Sequence, residues 1–93
     1  MAKDAIPDLG YVITRGRAHF SRYACALIFY RHDREGKPYI YHVETFAGHD
    51  GRTVRRQAGE RARNVIRRKA PMGLRSTYIP HNYAKPADMY VPK

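Results

Sequence analysis

The sequence predicts an α+β fold: a three-stranded antiparallel sheet, one basic amphipathic helix packed on it, and an extended Pro/Tyr-containing C-terminal arm. Three β-prone runs with turn signals between them occupy residues 11–47. A single run with helical periodicity follows over residues 52–70, and prolines punctuate the rest of the chain. Short connections favour a meander of neighbouring strands. We therefore divide the 93 residues into a sheet-plus-helix domain, 1–70, and an extended arm, 71–93.

The strands are predicted at residues 11–14, 22–31 and 39–46. Between the last two, the segment 33–37 is polar and contains Gly36, which is typical of a hairpin connection. Pro38 can open the third strand, because a missing N–H is tolerated at a strand start. The turn chemistry therefore supports an antiparallel pairing of the second and third strands.

Side-chain alternation leaves open which face of the sheet is buried. In the second strand it places Tyr23, Cys25, Leu27 and Phe29 on one face, and Ala24, Ala26, Ile28 and Tyr30 on the other. In the third strand, strict alternation places Tyr39, Tyr41 and Val43 on one face and Ile40, His42, Glu44 and Phe46 on the other. Neither strand is cleanly divided into an apolar and a polar face, so periodicity does not select a core face.

The helix has a clear apolar stripe. Its apolar residues recur at intervals of four, four, three and one: Val54, Ala58, Ala62, Val65 and Ile66. Because these spacings follow a 3.6-residue repeat, we expect this stripe to pack on the sheet. Asp50 or Thr53 can cap the helix start. Pro71 and Gly73 are expected to end it.

Charge is the most informative property for function. The sequence contains eighteen lysines and arginines and eight acidic residues, which gives a net charge of +10. Thirteen of the eighteen basic residues are arginine. Arginine pairs with phosphate through two parallel hydrogen bonds. From Arg52 to Lys69 there are eight basic residues and one acid, Glu60. An ordinary solvated face mixes both signs, so this concentration favours a polyanionic partner.

The candidate nucleic-acid-binding residues lie on the helix and on the sheet side. At about 100° per residue, Arg56, Arg63 and Arg67 lie opposite the apolar stripe. The helical candidates are Arg52, Arg56, Arg61, Arg63, Arg67 and Arg68. The sheet-side candidates are Arg22, Arg31 and Arg34.

No motif predicts catalysis, a cofactor or a metal site. His42 and Glu44 have the His-x-Glu spacing of zinc deaminases, but Cys25 is the single cysteine and the Pro-Cys-x-x-Cys half is missing. No Gly-x-Ser-x-Gly nucleophile motif is present. No apolar run reaches the length of a membrane span or resembles a signal peptide. We therefore expect a non-enzymatic cytoplasmic protein that neither crosses nor binds a membrane.

Residues 22–69 resemble small DNA-binding domains built from a three-stranded sheet and a helix, namely the plant AP2 domain and the arm-binding domain of phage integrases. The resemblance rests on the second-strand end 30–32, the loop 34–37, the third-strand end 45–47, and a helix with Ala58 and Ala62. It implies that the sheet enters the major groove and the helix braces it. The chain departs from that pattern in its basic helix, its Tyr-rich third strand and its lack of tryptophan. Its strands and basic helix also resemble the end of the double-stranded-RNA-binding domain, whose first helix does not fit within residues 1–10.

The sequence thus predicts a small nucleic-acid-binding protein that acts through an arginine-rich helix and a sheet face. The alternative is an interaction protein of phage or mobile-element origin, an inhibitor of the anti-CRISPR kind that docks on a host nucleoprotein complex. The choice between DNA and RNA and the oligomeric state stay open at this stage.

Overall fold

The computed structural model describes residues 9–16, 22–68, 76–80 and 83–92. It contains the strands β1 (Gly10–Arg15), β2 (Tyr23–His32) and β3 (Pro38–Gly48) and the helix α1 (Gly51–Arg68). The strands form one antiparallel sheet in the order β1-β2-β3. The predicted α+β fold with a three-stranded antiparallel sheet and one helix is confirmed.

The boundaries differ from the predicted ones by one or two residues where both can be compared. The helix begins at Gly51 rather than at residue 52, and β3 continues to Gly48. Residues 1–8 lie outside the described residues, as do the predicted continuation of the helix to residue 70 and its predicted end at Pro71 and Gly73.

A β-bulge in β3 overturns the strict alternation predicted for that strand. Phe29 pairs with His42 and Tyr30 pairs with Ile40, so Tyr41 has no partner in β2. Because of this extra residue, the side-chain direction shifts by one position. Ile40 and Val43 consequently face the same side of the sheet, although alternation assigned them to opposite sides.

The helix packs on the face formed by the odd-numbered residues of β2. Leu27 and Phe29 are fully buried against Ala62 and Val65 of α1. Closer to the helix start, Cys25 is buried with Val54 and Ala58. The predicted stripe is therefore the buried stripe, with Ile66 half-buried at its margin and Gly59 buried as well.

The C-terminal arm covers the centre of the opposite face. Ile28, Ile40 and Val43 are buried there with Met89 of the arm, and Ile79 packs against the same cluster. Burying an apolar side chain of this size contributes about 1.5–3 kcal/mol, so the arm adds a second core to the sheet. Both faces of the sheet are thus apolar, which explains why neither strand shows a simple alternation.

Backbone hydrogen bonds hold the arm to the outer edge of β3 and to the end of β1. The Val43 amide donates to the Ser76 carbonyl at 2.7 Å, and the Ile40 amide donates to the Tyr90 carbonyl at 2.9 Å. Between these points Tyr83 forms a bridge with Gly16. A β-carbon added at Gly16 would overlap the Tyr83 ring, so this close approach favours glycine. The arm therefore contacts the β3 edge at Ser76, the end of β1 at Tyr83, and the β3 edge again at Tyr90.

The β2–β3 hairpin loop provides a further anchor for the arm. Asp33 Oδ1 accepts hydrogen bonds from the amides of Glu35 and Lys37, both at 2.9 Å. Gly36 adopts a φ of 85°, a left-handed conformation that favours glycine. The Tyr90 hydroxyl donates to Asp33 Oδ2 at 2.8 Å, and this bond is the main cause that lowers the pKa of Asp33.

Candidate nucleic-acid interface

Asp50 fixes the start of the basic helix. Its Oδ1 accepts from the Arg52 amide at 3.2 Å, and its Oδ2 accepts from the Thr53 hydroxyl at 2.6 Å. The Thr53 bond is the first cause of the lowered pKa of Asp50. Of the two predicted caps, Asp50 is the one that supplies the side-chain acceptor to the first turn.

Four exposed arginines, Arg52, Arg56, Arg63 and Arg67, follow the side of α1 that points away from the core; we call them the arginine ridge. Arg56 Nε lies 4.0 Å from Glu60 Oε1, and both side chains are more than half exposed. Such a pair contributes little. Among the described residues, no acidic side chain lies within ion-pair distance of Arg52, Arg63 or Arg67. The ridge therefore presents largely uncompensated positive charge.

The guanidinium of Arg63 lies over a gap in the helix surface. Gly59 is buried although it lies near the margin of the apolar stripe. A β-carbon built there would lie 3.2 Å from Arg63 Nη1, so the missing side chain leaves room for the guanidinium to rest against the helix. Arg63 thus remains exposed while its head group lies close to the helix surface.

Arg61 differs from the ridge because it points towards the sheet. Its Nε and Nη2 donate to the two carboxylate oxygens of Glu44 at 2.9 and 2.8 Å. These bonds are the leading cause that lowers the pKa of Glu44 and raises that of Arg61. The sequence predicts Arg61 as a nucleic-acid contact; in the structure its guanidinium pairs with Glu44 and links α1 to β3.

His42 extends this ion pair to the C-terminal arm. Its Nδ1 accepts a hydrogen bond from the Ser76 amide at 3.1 Å, and its Nε2 lies 3.0 Å from Glu44 Oε2. Because Nδ1 is an acceptor, the ring proton belongs on Nε2, where it is donated to Glu44. His42 is buried and stacks on Phe29 at a centroid distance of 6.1 Å. The His-x-Glu pair is thus part of a structural network between helix, sheet and arm.

Replacing Glu44 by glutamine should lower the free energy of unfolding at neutral pH by about 1 kcal/mol, a value that allows for the exposure of the partner Arg61. The folded-state pKa of Glu44 lies below the ordinary 4.5. Its contribution is therefore present above pH 4.5 and is lost as the pH falls through the depressed pKa. Urea unfolding of both proteins should show the difference shrinking in acid. Glu60→Gln, at an exposed pair, is the matched control, and an equal effect there would contradict the assignment.

A second basic group lies where β2 meets the helix start. Arg55 Nη1 donates to the Tyr23 hydroxyl at 3.1 Å, and the Arg15 guanidinium lies 5.9 Å from the Tyr23 ring centroid. Neither arginine was among the sequence-predicted candidates. Arg55 falls beside the apolar stripe on a helical projection, and the position of Arg15 depends on the β1–β2 register. Because the three residues lie on three different elements, no local sequence pattern identifies this cluster.

The three sheet-side candidates do not form one patch. Arg22 is exposed and precedes β2, whereas Arg34 is exposed in the hairpin loop at the other end of the strand. At about 3.3 Å per residue, a ten-residue strand separates them by roughly 30 Å. Arg31 is half-buried, with its guanidinium 5.7 Å from the centroid of the Tyr41 ring. Only Arg22 lies towards the helix start.

The face of the sheet opposite the helix is not open at its centre. The contacts of Met89 and Ile79 with the buried residues Ile28, Ile40 and Val43 occupy it. Binding through the sheet, which the sequence resemblance implied, would use this face. The same mode of binding in this protein would require the arm to leave its apolar contacts, whereas the arginine ridge is accessible as it stands.

No protein-family model, curated protein or solved structure matches the chain. Within the described segments, no helix is both long and apolar enough to span a membrane. The geometry of α1 and its surroundings therefore provides the evidence for function.

Proposed function

We propose that this protein binds nucleic acid without catalysis, through the outward face of α1. The observation that carries the proposal is the arginine ridge, a row of exposed arginines. Among the described residues, Glu60 is the only acidic side chain within ion-pair distance of the ridge, at 4.0 Å from Arg56. A cytoplasmic location, where nucleic acid is accessible, belongs to the same proposal.

The cost of the ridge to the free protein supports a partner of opposite charge. Arg52 and Arg56 are four residues apart, as are Arg63 and Arg67. Each such like-charged pair destabilises a helix by about 0.2–0.5 kcal/mol. A phosphate between the two members of a pair replaces this repulsion with charge-assisted hydrogen bonds. The arrangement is unfavourable in the free protein and favourable in a complex.

The dimensions of the ridge suit a nucleic-acid backbone. Arg52 and Arg67 are fifteen residues apart, which corresponds to about 22 Å along the helix axis. Duplex DNA carries one negative charge per about 1.7 Å of its axis, so several phosphates lie within reach of a ridge of this length. Arg68 and Arg55 add exposed cations beside the two ends. We assign one phosphate contact to each of the four ridge arginines.

The first test is a salt titration of the wild-type protein with duplex DNA. Four phosphate contacts predict a slope of log K against log salt of about −3.6, because each neutralised phosphate releases condensed counterions. Fluorescence anisotropy of a labelled duplex measures the slope directly. A flat response, or no binding at low salt, would contradict the proposal.

A protein partner is the competing explanation. An acidic surface, including one on a host nucleoprotein complex, could also pair with the ridge. A protein surface lacks the regularly spaced charges of a phosphate backbone. If the partner is a protein, we therefore expect weak or absent binding to plain duplex DNA. Purification of the protein from cells at low salt, with and without nuclease, separates the two. Recovery of a protein that persists after nuclease treatment favours docking, whereas recovery of nucleic acid supports our proposal.

A further inference from the structure

A row of uncharged hydrogen-bonding side chains lies beside the arginine ridge. Gln57 and Asn64 are both exposed on α1 and are seven residues apart. At about 100° per residue this separation is about 20° short of two full turns, so they lie on one side of the helix. Glu60 lies between them along the row and is also exposed. The row therefore combines two amides and a carboxylate directed away from the core.

Arginines border this row on both sides. On a helical projection, Arg56 and Arg67 of the ridge lie on one side of Gln57 and Asn64, and Arg68 lies on the other. Phosphate contacts fix the position and orientation of a protein on a duplex, while side chains between them can reach base edges. Around the helix axis, the hydrogen-bonding side chains thus lie between two sets of cations.

We propose, on the basis of the nucleic-acid function above, that α1 enters the major groove of B-form DNA and that Gln57 and Asn64 read base edges there. Each amide carries a donor and an acceptor and can bond the N6 and N7 positions of adenine together. Glu60 can accept from the amino group of cytosine. The ligand class is therefore duplex DNA of preferred sequence, rather than nucleic acid in general.

The dimensions of the groove agree with this assignment. The major groove of B-DNA is about 12 Å wide and admits a helix of about 10–12 Å diameter. Gln57 and Asn64 are separated by about 10.5 Å along the axis, close to the rise of three base pairs. The major groove of A-form RNA is deep and narrow and cannot be read by side chains. A helix that reads bases with this face should distinguish DNA from RNA duplexes.

The test begins with selection from a pool of random-sequence DNA duplexes by the full chain. The wild type should enrich a sequence and bind it on the order of tenfold more tightly than a scrambled duplex. It should also prefer this duplex to an RNA duplex of the same sequence. The double variant Gln57→Ala/Asn64→Ala should bind the selected and scrambled duplexes alike, with the affinity that the wild type has for the scrambled one. Thr45→Ala, an exposed polar truncation on β3, should keep the preference.

Several results would overturn this inference while leaving the proposed function in place: no enriched sequence, equal affinity for the RNA duplex, or an undiminished preference in the double variant. Failure of the wild type to bind any duplex at low salt contradicts the proposed function itself, so the two failures are distinguishable. Circular dichroism of the double variant shows whether the fold is retained. Both substituted residues are exposed, and we expect an unchanged spectrum.

Discussion

Replacing Ala62 with arginine is expected to unfold the protein. Ala62 is fully buried where α1 crosses β2, in contact with Leu27 and Phe29. Arginine at this position would require either an unpaired charge in the core or separation of the helix from the sheet. The cost is on the order of several kcal/mol, comparable with the whole stability of a small domain. Loss of the far-ultraviolet circular dichroism signal and of a cooperative thermal transition would be the measured result.

The matched control for this substitution is Gln57→Arg, which adds the same side chain to the exposed face of the same helix. Its effect on stability should lie within about 0.5 kcal/mol, because an exposed substitution of this kind is usually small. If Ala62→Arg melted at the wild-type temperature, the packing of α1 on the sheet described above would be wrong.

Changing Arg56, Arg63 and Arg67 together to alanine is expected to produce the largest loss of nucleic-acid affinity. If each lost contact costs about 1 kcal/mol at low salt, binding should weaken on the order of 100-fold. The salt slope should become shallower by about 2.7, which is about 0.9 for each lost phosphate contact. Anisotropy titrations of the same duplex over a range of salt concentrations measure both quantities.

The same triple variant should keep its fold. All three side chains are exposed. Within the part of the chain that the structure describes, their one ion pair joins Arg56 to Glu60 at 4.0 Å and is itself exposed. Relief of repulsion between Arg63 and Arg67 can offset the loss of that pair. Single substitutions should each give a partial loss of similar size for every sequence tested, because backbone contacts carry no sequence information. A triple variant that binds normally would contradict a role for the ridge.

Much of the fold could be predicted because its local signals agree with its packing. The stripe from Val54 to Val65 is the buried face of α1, and Asp50 supplies the cap. The β2–β3 hairpin follows its turn residues, including Gly36. The burial of both sheet faces could not be predicted. One of them depends on the arm, and the arm has no apolar period from which its path across the sheet could be derived.

The bulge at Tyr41 shows why alternation failed in β3. No residue type there distinguishes a bulged strand from a regular one, and the extra residue is visible only against β2. Both Tyr41 and its neighbour His42 consequently lie on the helix side, where Tyr41 packs against the core and His42 stacks on Phe29.

The candidate site likewise has a part that could be predicted and a part that could not. The outward direction of the ridge arginines could be predicted from helical periodicity alone, because spacing along one helix sets the direction of each side chain. The contact of Arg61 could not be predicted, because its carboxylate partner Glu44 lies 17 residues earlier on another element. The contact of Arg55 with Tyr23 likewise joins residues 32 positions apart. Such long-range pairs depend on how α1 is seated on the sheet.

In the function proposed above, the outward face of α1, and not the sheet side, contacts the polyanion. A side-by-side salt titration of Arg56/Arg63/Arg67→Ala and Arg22/Arg31/Arg34→Ala on one DNA duplex tests it most directly. The two variants lose the same formal charge, so a nonspecific charge effect would weaken both equally. We predict a large loss of affinity and a shallower salt slope for the helix variant, and near-wild-type binding for the sheet-side variant. The reverse order, or two variants that both bind like the wild type, would contradict the account.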